Sequence, residues 1–153
     1  MKRRIRLLAY NVRSLWNVGS FFRTCDAFEV ERIYLTGYTG QPPRKEITKT
    51  ALGAENWVPW EHAQDPKEVM MKLKEEGVQL LALERAADAI DVTAFSPSDN
   101  ICMIVGHELE GVPEELRAMC SATICIPMLG QKESLNVAVA TGVALHCLRF
   151  RAS

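Results

Sequence analysis

The stretch ICIPMLGQKESLNVAVATGVALHC, residues 124–147, governs how this chain is read. A short β-like apolar run breaks at Pro127 and Gly130, and Ser134-Leu135-Asn136 then opens a helix that is apolar on every side. A helix without a polar face is expected to be buried, so its first turn faces a pocket partly shielded from water. Unpaired backbone N–H groups are available at such a helix start, and Ser134 and Asn136 are the side chains suited to work beside them. A core helix with a serine cap accounts for Ala138, Ala140, Gly142 and Ala144 as tight packing. It does not account for the apolar-Pro-x-x-Gly approach joined to Ser-Leu-Asn.

Outward from this segment, apolar runs and helical patterns alternate. Strands are predicted over 5–10, 32–36, 78–83, 101–105 and 123–126, with a brief extended segment over 57–60. Helices are predicted over 18–28, 45–52, from Pro66 to a stop at Gly77, over 113–119 and over 136–150. Nearly uninterrupted apolar strands between helices imply an α/β fold, a mostly parallel sheet flanked by helices on both faces. Ligands of such sheets gather at the carboxyl ends of the strands, where three loops, 11–19, 106–111 and 127–136, carry the unusual residues.

Composition narrows the classes. With 153 residues, 48% hydrophobic and 24% charged, residues 1–153 fit a single compact domain and leave no room for a second. The final helix is too rich in small residues, and too soon ended by Arg149 and Arg151, to span a membrane. The opening MKRRIRLLAYNVR has no long apolar core or cleavage site, so a cytoplasmic protein without a membrane partner is expected. Five cysteines without CxxC spacing read as buried reduced thiols. No metal is expected: His107-Glu108 begins like a zincin helix, but Gly111 stands where the second histidine belongs.

Residues 1–49 hold ten Lys and Arg against four acids, so this third is +6 and the remainder −7. Clustered cations suit a phosphate backbone, and a solvated basic face is the equal alternative. NVGSFFR, residues 17–23, follows a strand and enters a helix. Gly19 would let the backbone approach a ligand and Arg23 would reach a phosphate or ribose; the alternative is an Asn cap with an exposed arginine. In GHELEG, residues 106–111, two glycines shape a loop whose amides can hold a ligand, with Glu108 accepting from buried donors; a plain turn is the alternative. GxGxxG, GxxxxGK[ST] and GxSxG are all absent, which disfavours hydride transfer, triphosphate hydrolysis and serine hydrolysis.

Three motifs in one order, NVGSFFRTCDAF, VGHELEGVP and IPMLGQKESLNVAVATGVAL, together with ALGAENWVPWE, resemble the SpoU/TrmH family of RNA ribose 2′-O-methyltransferases of the SPOUT superfamily. The likeness covers nearly the whole chain. It implies a C-terminal trefoil knot, a rare exception to ordinary chain connections, and a homodimer with sites at the subunit interface. It implies S-adenosylmethionine as cofactor, bound near Leu83, Gly106, Ile126, Met128 and Leu135, and a structured RNA substrate, tRNA ahead of rRNA. Arg23 matches the arginine implicated in activating the 2′-hydroxyl, and Asn17, Glu108, Ser134 and Asn136 match the other active-site positions. One departure is His107, where the family often has Asn. RNA recognition would fall to the basic N-terminal third, the second subunit or a helper protein. The rival expectations are a knotted RNA-binding or assembly module without catalysis and an unknotted flavodoxin-like nucleotide-binding domain.

Overall fold

The computed structural model describes residues 2–152. The chain runs β1 (Arg4–Tyr10), α1 (Leu15–Ala27), β2 (Arg32–Thr36), α2 (Lys45–Ala51), a 3-10 turn (Ala54–Asn56), β3 (Trp60–Ala63), α3 (Pro66–Glu75), β4 (Gln79–Leu83), β5 (Ile90–Asp91), β6 (Asn100–Val105), α4 (Glu114–Arg117), β7 (Ala122–Cys125) and α5 (Val137–Phe150). The strands form one seven-stranded sheet in the order β3-β2-β1-β6-β4-β7-β5, every pair parallel.

Side chains of the central strands alternate between two cores, as the two-residue period of a strand requires. Leu7, Ala9, Ile101, Met103 and Val105 meet Phe21, Phe22 and Cys25 of α1, Ile47 of α2 and Leu145 and Leu148 of α5 on one face. Leu8, Cys102 and Ile104 meet Val69, Met70 and Leu73 of α3 on the other. Both faces of β1 and β6 are covered, which explains why these strands, Arg6 apart, read as nearly continuous apolar runs.

The sheet order reverses between β1 and β6, so the loops leaving these two strands meet at the switch point where such folds place ligands. β4 and β5 follow one another in sequence yet flank β7, to which Glu84 and Val92 donate backbone hydrogen bonds at Ile124 and Cys125. Residues 84–89 therefore connect two strands that lie on either side of β7.

Several expectations change. α1 starts three residues before the predicted 18, because Ser14 rather than Asn17 caps it. The segment predicted as extended over 57–60 follows a 3-10 turn that ends at Asn56, and it pairs only from Trp60, after Pro59. β5 has two residues and no periodic signature, so it was not predicted. α5 is not buried all round: Thr141, Ala144, Leu145 and Leu148 face the core, while Val139 (53% exposed), Val143 and Phe150 face solvent. Of the cysteines, Cys25 and Cys102 are buried and the other three only partly so; all are free thiols. No helix among the described residues is long and apolar enough to cross a membrane.

Candidate active site

Glu108 joins the two loops of the switch point. Its Oε1 accepts from the Arg13 N–H at 2.9 Å, and its Oε2 from the Ser14 N–H at 2.8 Å and from Asn17 Nδ2 at 2.9 Å. Partial burial pushes the carboxyl pKa up, but these donors outweigh it and hold the group below its ordinary value. Because Ser14 Oγ already accepts from the Asn17 N–H, the Asn17 side chain is spared from capping. It is nearly buried, and its Oδ1 accepts from Asn136 Nδ2 at 3.4 Å. Asn136 Oδ1 in turn caps α5 by accepting from the Ala138 and Val139 N–H groups at 2.8 and 3.2 Å. One carboxylate and two amides thus link the starts of α1 and α5.

The 106–113 loop is held closed upon itself. A Cβ on Gly106 would lie 2.3 Å from the Gly111 carbonyl oxygen, and one on Gly111, at φ +70°, would lie 1.8 Å from Glu84 Oε2. That same Glu84 oxygen accepts from the Val112 N–H at 2.7 Å. His107 Nδ1 accepts from the N–H groups of Leu109 and Glu110 at 3.0 and 3.1 Å. An asparagine side chain makes the same kind of turn, so the histidine fulfils the local backbone role through a ring nitrogen. Gly19 has a different task from the one its position implied. A Cβ there would lie 1.8 Å from Thr50 Oγ1 and 2.4 Å from the Ile47 carbonyl oxygen, so it serves the packing of α1 on α2 rather than a ligand.

A pocket of about 740 Å³, open mouth included, lies at the carboxyl ends of β4, β6 and β7. Leu83, Gly106, Glu108, Ile126, Met128, Ser134 and Leu135 all line it. Asn17, Arg23 and Asn136 instead line a shallow groove between α1 and α5. The Asn17–Glu108 hydrogen bond connects groove to pocket. Arg23 is exposed and has no ion-pair or hydrogen-bond partner among the described residues. Glu84, Arg85 and Ala140 also line the pocket and escaped sequence reading. An acid directly after the apolar run of β4 was the available signal for Glu84. Among the described residues no group of three His, Cys, Asp or Glu could hold a metal ion.

Residues 4–146 match the SpoU rRNA Methylase family. The chain belongs to it. Among similar proteins, this SpoU-family chain is 34% identical over 141 residues to the tRNA (guanosine(18)-2′-O)-methyltransferase of Thermus thermophilus, covering 92% of this chain and 72% of that protein. To the protein of the same name from Aquifex aeolicus it is 31% identical, covering 92% of this chain and 66% of that one. A crystal structure of an AdoMet-bound rRNA methyltransferase from Sinorhizobium meliloti superposes with a TM-score of 0.89 at 28% identity, over 100% of this chain and 59% of that one. The chain thus spans about two thirds of the two tRNA relatives and less of the third.

Proposed function

We propose that this chain transfers the methyl group of S-adenosylmethionine to a ribose 2′-hydroxyl of a structured RNA in the cytoplasm, tRNA ahead of rRNA. The observation that carries this reading is a pocket at the strand ends whose wall continues, through Glu108, Asn17 and Asn136, into a groove holding an unpaired arginine. The named activities of the Thermus and Aquifex relatives favour tRNA.

The pocket's residues fit the cofactor. Leu83, Ile126 and Leu135 offer apolar walls for a flat purine, and Gly106 presents bare backbone where a side chain has no room. Bound there, the cofactor's sulfonium supplies an electrophilic methyl group, so the protein has to align the hydroxyl oxygen and assist loss of its proton. Glu108 fixes the Asn17 amide through Nδ2, which leaves Oδ1 toward Asn136 and sets the floor between pocket and groove. Arg23, a permanent cation and a poor base, stabilises the developing alkoxide while a neighbouring RNA phosphate takes the hydroxyl proton. Ser134 and Asn136 position the ribose at the start of α5.

Arg23 lies in the groove rather than the pocket wall, and the exposed apolar stripe Val139, Val143 and Phe150 runs along the same helix pair. Both facts support a homodimer in which a second copy covers the stripe and the site is completed between subunits. The trefoil knot that the family resemblance implies is supported by the placement of β7 between β4 and β5, two strands that follow one another in sequence. Calorimetry is expected to give one S-adenosylmethionine site per chain, and Arg23→Ala to cut methyl transfer to RNA at least ~100-fold with binding of the cofactor retained. Absence of binding, or a fully active Arg23→Ala, overturns the reading.

A further inference from the structure

Six of the ten Lys and Arg in the first 49 residues are already engaged by groups of the protein itself. Arg3 is buried and donates to the carbonyls of Ser98 at 2.8 Å and Leu148 at 2.6 Å, closing the end of α5. Arg6 is buried against Asn100 and Glu31, while Lys2, Arg4, Arg32 and Arg44 pair with Glu29, Glu31, Glu61 and Glu46. Arg13, Arg23, Lys45 and Lys49 remain, with no ion-pair partner among the described residues. They are not scattered. Arg13 precedes α1, Arg23 lies on it, and Lys45 and Lys49 are one turn apart on α2, the helix packed against α1.

Among them stands Trp16. The residue is 49% exposed, and its indole N–H donates to no described residue. A large aromatic group left half in water is of little use to the fold. Lys49 Nζ lies 6.0 Å from its ring centroid, at the limit of a cation–π contact. The backbone beneath is fixed independently of the side chain, since the Trp16 carbonyl accepts from Thr50 Oγ1 at 2.9 Å. Trp16, Ser20 and Arg23 recur at i, i+4 and i+7, so they share one stripe of α1, and Trp16 sits about 10 Å along the axis from Arg23.

We propose that Trp16 and Lys49 form a stacking platform for one unpaired base of the RNA substrate beside the nucleotide to be modified, with Arg13 and Lys45 meeting the adjoining phosphates. This rests on the methyltransferase reading and adds to it a demand for unpaired structure next to the target ribose. An aromatic face accepts any base, and free cations around it hold the backbone, the combination that single-stranded nucleic acid selects.

The test is a fluorescence-anisotropy titration of the full chain with a labelled RNA hairpin carrying a seven-nucleotide loop, and with a blunt RNA duplex of equal length. Trp16→Ala is expected to weaken hairpin binding about tenfold, Trp16→Phe to recover most of it, and duplex binding to stay unchanged. Lys45→Gln is expected to lower the salt slope of hairpin binding by about 0.7. The platform is overturned by hairpin binding unchanged in Trp16→Ala, or by equal losses on hairpin and duplex. Binding is read without methyl transfer, so a wild-type protein that binds the hairpin through Trp16 but transfers no methyl group supports the platform and contradicts the activity.

Discussion

Two walls of the same pocket are made by opposite means. In the 106–113 wall, Glu108 takes three donors, His107 Nδ1 two, and Glu84 reaches across to the Val112 N–H, while Gly106 and Gly111 stand where no Cβ fits. In the 126–136 wall, Leu129 is 99% exposed and Ser134 is exposed, a Cβ on Gly130 would meet nothing within 4 Å, and the Glu133 carbonyl is held by exposed Arg85. The difference teaches where binding has been prepared in advance. The first wall is held by its own hydrogen bonds, whereas the second has few contacts to hold it.

The sharpest way to break this comparison is to place the same methyl group in both walls. Gly106→Ala forces its Cβ against the Gly111 backbone, and urea denaturation is expected to show a loss of about 2–3 kcal/mol. Glu108→Gln keeps one acceptor but sets an NH2 against the N–H donors, for an expected loss of about 1–2 kcal/mol. Here pH supplies the sign. The folded pKa of Glu108 is depressed, so its contribution is fully present above the unfolded value of ~4.3 and fades as pH falls through the lower folded value. The stability gap between wild type and Glu108→Gln should therefore narrow on acidification below about pH 4.3, and a gap that widens contradicts the assignment.

Smaller effects sharpen the contrast. His107→Ala removes an acceptor for two backbone N–H groups and is expected to cost about 1 kcal/mol, whereas His107→Asn restores the turn and most of that stability. In the other wall, Gly130→Ala should change stability by less than about 0.5 kcal/mol. Leu135→Ala is expected to be equally mild in denaturation yet to weaken S-adenosylmethionine in calorimetry by about tenfold, through lost apolar contact. If Leu135→Ala destabilises as much as Gly106→Ala, the two walls are alike and the comparison fails.

The sheet was legible because β1 and β6 are covered on both faces and so read as apolar runs, interrupted in β1 by Arg6. β5 was not, since two residues carry no period. The pocket wall was legible through Pro127, Gly130 and the glycines of GHELEG, which mark sharp backbone turns. Three things lay beyond sequence. Gly19 serves α1–α2 packing, because only the folded chain brings Thr50 and Ile47 against it. The exposed stripe of α5 has the same apolar residues as a buried helix, and composition cannot tell the two apart. The basic N-terminal third looked like a nucleic-acid surface, yet Arg3 and Arg6 are interior, and only contacts distant in sequence separate them from Arg13, Arg23, Lys45 and Lys49.

The central claim is a chemical one, and incubation of the purified chain with labelled S-adenosylmethionine and total RNA, followed by mass-spectrometric mapping of digested nucleosides, tests it most directly. The account predicts label in the ribose of a 2′-O-methylated nucleoside from a structured RNA, lost with Arg23→Ala. Label confined to a base, or no label in RNA from a protein that binds the cofactor, would contradict it.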